Sequence, residues 1–347
     1  MPKLHLFPSM QIDLRSDTVT RPCPAMLEAM NSAQVGDAVF GDDPSVLELE
    51  SFAAHLFGMK GALFCPSGTM SNQIAIKSHT RPGDQMICDE TAHVYVYEGG
   101  GAALHSGISC KLMHGDGGRF SAKDVAAAIN PDDPHYPRTR LVSIENTCNK
   151  GGGKIWDFDE IRRISSVCNE HDLRLHLDGA RVFNAIVETG KTPQDFGEVF
   201  DSISVCLSKG LGAPVGSLLL GGVDFIHEAN RMRKAFGGGM RQAGYLAAAG
   251  LFALKNNIER LADDHCNAKR LSEALVVSSL SGNALPPETN LVMFDFETPK
   301  ALASTMERLA GEDILTVAMG PRRMRLVTHQ DITDEMMDRA LEILGNL

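Results

Sequence analysis

One pattern restricts this chain more than any other: short apolar runs rich in β-branched residues alternate with helix-like segments from residue 61 to residue 222. "GALFC" precedes "GTMSNQIAIKSH", "QMICD" precedes "ETAHVYVYEGGGAAL", and "ISCKLMH" precedes "SAKDVAAAI". "RLVSIE" then leads to "DFDEIRRISSVCNEHD", "LRLHLD" to "ARVFNAIVETG", and "SISVCLS" to "GSLLLGG". Runs that are apolar on both faces suit strands buried in a parallel sheet, and the helical segments between them supply the crossovers such strands need. The pattern predicts an α/β fold: a mainly parallel sheet flanked by helices, with ligands outside the carboxyl ends of the strands.

Before this core, "DDPSVLELESFAAHLFG" carries helix-starting signals in its Asp and Pro44, apolar residues at helical spacing, and Gly58 as a stop. After it, a long helical stretch from Arg241 to about Leu275 leads into "NLVMFDFE", "PKALASTMERLAGED", "RMRLVTH" and "TDEMMDRALEILGNL". At 347 residues the chain accommodates one large domain and a smaller one. The expected division is residues 1–245, including the amino-terminal segment, and a small C-terminal α/β domain over 246–347.

With 33 basic against 44 acidic residues and a net charge of -11, the chain has no general affinity for nucleic acid or anionic membranes. Its eight cysteines are scattered without a CxxC pair or a metal-like cluster, and read as buried, reduced thiols of a cytoplasmic protein with no metal site. The opening "MPKLHLFPSM" has two prolines and no sustained apolar stretch, so it reads as neither signal peptide nor anchor. "YLAAAGLFALKNNIERL" breaks into charge too early to span a bilayer.

Three polar features fall at strand ends. Lys209 follows "SISVCLS" in the glycine-rich "KGLGAPVGS"; Asp178 closes "LRLHLD"; and Ser67, Gly68 and Thr69 lie between a strand and a helix start. Each alone has an ordinary explanation: a lysine where a strand meets water, a carboxylate capping a helix, a hydroxyl N-cap. Together they match pyridoxal 5'-phosphate. A lysine amine forms a Schiff base with its aldehyde, a buried carboxylate keeps its ring nitrogen protonated, and a helix N-terminus binds its phosphate. A free lysine amine, with a pKa of about 10.4, is mostly protonated at neutral pH, and storing it as an imine removes that obstacle.

The chain resembles the L-threonine aldolases of low-specificity or L-allo type, fold-type-I pyridoxal-phosphate enzymes that cleave β-hydroxy-α-amino acids to glycine and an aldehyde. The likeness runs through "DLRSDTVT", "GDDPSV", "PSGTMSN", "AHVYVYE", "LVSIENT", "LHLDGARVFNA", "SKGLGAPVGS", "GGGMRQAG" and "RLVTH". It implies that Lys209 holds the cofactor, Asp178 faces its ring nitrogen, and Ser67, Gly68 and Thr69 bind its phosphate. Arg241, with Lys234 nearby, would be a further phosphate ligand, both from a neighbouring subunit of a homotetramer whose sites lie at dimer interfaces. His93 would stack on the ring near the reacting hydroxyl. Ser16, Arg181 and Arg325 would hold the substrate carboxylate, Arg181 beside the cofactor as well; guanidinium forks suit carboxylates. The base that takes the β-hydroxyl proton is left open between His93, His135 and a water. Two positions depart from the family pattern: Phe40 stands where a tyrosine is usual, and Cys148 where a histidine is common.

Rival readings are weaker. A nicotinamide oxidoreductase would need a GxGxxG between its first strand and helix, and the "GGG" runs at 99, 151 and 237 lack that context. A β-eliminating lyase or a transaminase shares the fold and separates from an aldolase only by its products.

Overall fold

A computed structural model describes residues 11–347; the amino-terminal decapeptide discussed above lies outside the described residues. After a short strand β1 (Ile12–Asp13) come the seven strands of the main sheet. These are β2 (Gly61–Cys65), β3 (Gln85–Asp89), β4 (Ser109–Met113), β5 (Thr139–Glu145), β6 (Arg174–Asp178), β7 (Ser202–Cys206) and β8 (Ser217–Gly221). Their spatial order is β2-β8-β7-β6-β5-β3-β4. Only β8 runs against its neighbours, so the sheet is mixed but mostly parallel, as the alternation predicts. Every residue of β3, β7 and β8 is buried, which suits runs that are apolar or carry only small hydrogen-bonded polar groups between their ends.

The register determines what meets at the carboxyl edge. Glu145 is opposite Asp178, and Asp178 is opposite Ser204, across three adjacent parallel strands. The chain leaves β7 at Cys206, turns through Lys209 and returns antiparallel as β8.

The predicted first helix spans Pro44–Leu56, with Asp43 Oδ1 accepting from the Val46 N–H at 3.1 Å and Val46, Leu49 and Ala53 buried. The helical stretch after Arg241 is two helices, Gly244–Asn256 and Leu261–Val277, parted by a turn after Asn257. The first packs into the large core through Ala247, Ala253 and Leu254; the second passes from that core at Leu261 to the small one at Ala268 and Leu271.

The small unit is an antiparallel sheet rather than a βαβ repeat: β9 (Gly282–Leu285), β10 (Leu291–Phe296), β12 (Val317–Ala318) and β13 (Arg323–Val327), in the order β12-β13-β10-β9. Beside it, β11 (Ile314–Leu315) pairs in parallel with β1, so Ile12 and Leu14 belong to the small core. This anchors the amino-terminal segment and delivers Ser16 and Asp17 to the cleft between the two sheets. Among the described residues no helix is long and apolar enough to cross a membrane. All eight cysteines are free, but only five are buried; Cys23 and Cys110 are half-buried and Cys266 is exposed, where sequence suggested uniform burial.

Candidate active site

The site grows from the carboxyl ends of β5, β6 and β7. Asp178, 2 % exposed, accepts from Asn72 Nδ2 at 3.0 Å and from the Ala180 N–H at 3.2 Å, and pairs with no lysine or arginine among the described residues. An ionised carboxylate has about four acceptor positions, so Asp178 keeps capacity for one more donor, and a cationic one would offset its burial. Lys209 lies close enough to Asp17 and His93 to shift their titration. Its carbonyl is held by Gly212 N–H at 2.8 Å and Thr20 Oγ1 at 3.0 Å, while its amine makes no ion pair among the described residues.

Behind Asp178 runs a file of hydrogen bonds, buried except at its His79 end. Asn72 Oδ1 faces His176 Nε2 at 3.1 Å, His176 Nδ1 faces Ser202 Oγ at 2.8 Å, and Ser202 Oγ faces His79 Nε2 at 2.8 Å. Burial, followed by the field of Arg174 on His79 and of His79 on His176, pushes both imidazoles down to about 3, so both are neutral. With each Nε2 protonated, every donor in the file points toward Asp178.

His93 opens a short helix. Its N–H donates to Glu145 Oε2 at 2.8 Å and its Nδ1 to Glu98 Oε1 at 3.0 Å. Burial lowers its basicity, but the Glu98 hydrogen bond and the charges of Asp178 and Glu98 outweigh that and raise it above the ordinary imidazole value. Glu98 also accepts from Asn72 and Gln73. Burial and then the charge of Asp178 push Glu145 up to about 7, despite its hydrogen bonds from the Asn149 and His93 N–H groups. The ligand atoms of His93, Glu98 and Asp178 lie within 4.8 Å of one another, a spacing a divalent ion would accept, yet these carboxylates already accept N–H donors from Asn72 and Gln73.

Two arginines face the cleft. Arg181 donates from Nε and Nη2 to Asp17 at 2.8 and 2.7 Å, a buried bidentate pair that leaves its Nη1 without a partner among the described residues. Arg325, on β13, donates from Nη1 to Asn149 Oδ1 at 2.8 Å and from Nη2 to the Arg15 carbonyl at 2.9 Å; its buried Nε has no partner. Burial and then the repulsion of Arg181 lower Arg325 to about 10. Two buried guanidiniums, of which only Arg181 is paired with an acid, make a receptor for a further carboxylate.

Helix Gly68–His79 presents its amino end at the same edge. Ser67 Oγ accepts from the Met70 N–H at 3.2 Å, so its oxygen serves as an N-cap, while the N–H groups of Gly68 and Thr69 meet no acceptor among the described residues. A Cβ on Gly68 would lie 2.6 Å from Cys206 Sγ, so only glycine lets the helix start seat against the end of β7.

The other expected residues are placed as follows. Ser16 caps a 3-10 turn, accepting from the Thr18 N–H and hydroxyl. Lys234 and Arg241 are exposed, Lys234 lying against Gly239 and Arg241 Nη1 on Asp37 Oδ2 at 2.9 Å. His135 is not brought to the others within one chain: it sits in the loop before β5, at the amino edge of the sheet, largely exposed and bonded to Asp133 at 2.7 Å. Phe40 is 80 % exposed. Cys148 is buried and donates to the Glu145 carbonyl at 3.1 Å, a packing position. Sequence reasoning missed Asp17, Asn72, Glu98 and Glu145, although all four lie inside the motifs "DLRSDTVT", "PSGTMSN", "AHVYVYE" and "LVSIENT".

An unpaired buried carboxylate, an unpaired amine and vacant helix-terminal N–H groups along one sheet edge match the three demands of pyridoxal 5'-phosphate. The fold and this edge define a fold-type-I pyridoxal-phosphate enzyme. The model of the beta-eliminating lyase family matches residues 13–299. The chain is 44 % identical over 327 residues to the low specificity L-threonine aldolase of Escherichia coli K12, covering 94 % of this chain and 96 % of that one. A solved threonine aldolase from Leishmania major superposes with a TM-score of 0.83 at 22 % identity, over 96 % of this chain and 98 % of that one. Sphingomonas wittichii serine palmitoyltransferase does so at 0.76 and 16 %, over 96 % and 86 %; these two likenesses speak to the fold alone. The chain belongs to the beta-eliminating lyase family and, within it, to the low-specificity L-threonine aldolases. It is therefore a lyase.

Proposed function

We propose that this enzyme cleaves the Cα–Cβ bond of β-hydroxy-α-amino acids, L-threonine and L-allo-threonine among them, to glycine and an aldehyde. The observation that carries this reading is the paired-arginine receptor beside an unpaired lysine and a buried acid. It supplies a carboxylate grip, a covalent anchor and a ring-nitrogen partner in one cleft.

Pyridoxal 5'-phosphate, when bound, supplies the sink for the electron pair released as the bond breaks. Lys209 would hold it covalently, Asp178 would keep its ring nitrogen protonated, and Gly68 and Thr69 would take its phosphate. Ser67 caps the helix that presents those groups. Ser16, Arg181 and Arg325 would bind the substrate carboxylate and so fix which bond at Cα is aligned for cleavage. His93, its Nδ1 committed to Glu98, would use Nε2 to take the β-hydroxyl proton directly or through a water. His135 would act only from a neighbouring chain.

We also infer a homotetramer with sites at dimer interfaces, in which Lys234 and Arg241 complete a neighbour's phosphate site. In support, Phe40, Tyr95, Tyr97, Leu104 and Tyr245 are large hydrophobic residues left exposed. The unpaired cysteines support a cytoplasmic location. Incubating holoenzyme with L-allo-threonine tests the reaction. Acetaldehyde and glycine in equal amounts are expected; ammonia with a keto acid would identify the β-eliminating alternative, and an amino-group exchange a transaminase.

A further inference from the structure

Away from the cleft, at the amino ends of β3, β5 and β6, the surface holds a second pocket of about 330 Å³ with an unusual wall: Arg81, Arg138, Arg140 and Arg174 converge on it. This is a concentration of positive charge in a chain whose net charge is -11. Arg140 and Arg174 are partly engaged, by Asp172 at 3.1 Å and Asp201 at 2.9 Å. The guanidiniums of Arg81 and Arg138 have no acidic partner among the described residues. The one acid in the wall, Asp84, accepts from the Arg81 N–H at 2.8 Å. A further group points to a ligand: the Ser78 hydroxyl in this wall is buried with no hydrogen-bond partner among the described residues. Half-buried His79, stacked on Phe225 at 4.5 Å and bonded through Nε2 to Ser202 Oγ, also lines the pocket.

His79 is also the far end of the file that terminates on Asp178. From it, through Ser202, His176 and Asn72, four hydrogen bonds of 2.8 to 3.1 Å reach the catalytic carboxylate across the buried middle of the sheet. The pocket and the active site therefore share a continuous polar connection, although they open on opposite edges.

We propose that the arginine pocket binds a small phosphorylated anion as an effector, and that the His79–Ser202–His176–Asn72 file carries its presence to Asp178. Guanidinium forks match the tetrahedral oxygens of a phosphoryl group, and several of them in one cleft favour a multiply charged anion. The volume suits a small molecule rather than a polymer. The second half of the proposal rests on Asp178 facing the cofactor; the first does not.

Calorimetric titration of holoenzyme with inorganic pyrophosphate tests the first half, because bound cofactor blocks its own phosphate seat. Saturable binding with one site per chain is expected, weakened at least tenfold in Arg81→Gln/Arg138→Gln, whose cleavage rate without pyrophosphate stays at the native value. No saturable binding, or equal binding by the double variant, overturns the site. For the second half, the visible absorption of the bound cofactor is followed during the titration. A pyrophosphate-dependent change is expected in the native enzyme and lost in Ser202→Ala, which leaves the four arginines in place; His79→Phe, which keeps a ring against Phe225, is a second cut. A change that persists in both variants, or none in the native enzyme, overturns the coupling while leaving the aldol reaction unaffected.

Discussion

Asp17 shows how a residue with no reacting atom holds a site together. It is fully buried, bound by both oxygens to Arg181 and by a third contact to Asn290 at 3.2 Å. Burial alone would raise its pKa, but the charge and hydrogen bonds of Arg181 prevail and hold it well below the usual carboxylate range. Its stabilising contribution is thus complete above the unfolded value of about 3.9 and fades as pH falls below it. Asp17→Asn strands a buried guanidinium, and removing one partner of such a pair costs about 3–5 kcal/mol. We expect a lower denaturation midpoint in urea at pH 7 and a rise in KM for L-threonine larger than the fall in kcat, because Arg181 loses its orientation. An unchanged midpoint would contradict this. The charge on Arg181 was evident in "DGAR", but its partner, 164 residues earlier, was not: sequence shows residue types, whereas pairing depends on where β1 docks.

At the scale of elements, the helix Gly68–His79 joins three requirements. Ser67 caps it, Gly68 seats it against β7, and Asn72, one turn in, reaches back to Asp178. Gly68→Ala sets a methyl 2.6 Å from the Cys206 sulfur and pushes the helix start off the strand end. Cofactor affinity, measured by fluorescence titration of apoenzyme, is expected to fall at least tenfold, with most of the loss recovered in Gly68→Ala/Cys206→Ala. Failure of the second substitution to recover affinity would show that the contact does not set the helix. The strands and this helix were legible because two-faced apolar runs and a Ser-Gly-Thr start have few other interpretations. The antiparallel small sheet was not: β9 and β12 are short edges, and the pairing of β1 with β11 joins segments from opposite ends of the chain. His135 lies at the opposite edge of its own chain, which sequence could not show for a related reason: a histidine's chemistry says nothing about which edge of a sheet its loop occupies.

For the whole molecule, the assembly decides whether one chain is sufficient. Arg241 and Lys234 are exposed, and among the described residues the Arg241 guanidinium hydrogen-bonds Asp37 alone. If they serve a neighbour, two crippled variants rescue each other: a Lys209→Ala chain lends Arg241 to an Arg241→Ala chain that retains Lys209. Dissociating and reassembling an equal mixture should then restore about a quarter of native activity, since half the dimers are hybrid and each has one intact site. No gain over the separate variants would place Arg241 in its own chain's site. Light scattering should also give a mass of four chains.

All of this depends on the lysine in the turn after β7. Holoenzyme reduced with borohydride, digested and mapped by mass spectrometry should carry the pyridoxyl label on Lys209, and Lys209→Ala should take up no label there and lose L-threonine cleavage by several orders of magnitude. A label on any other lysine, or native cleavage by Lys209→Ala, would contradict the assignment.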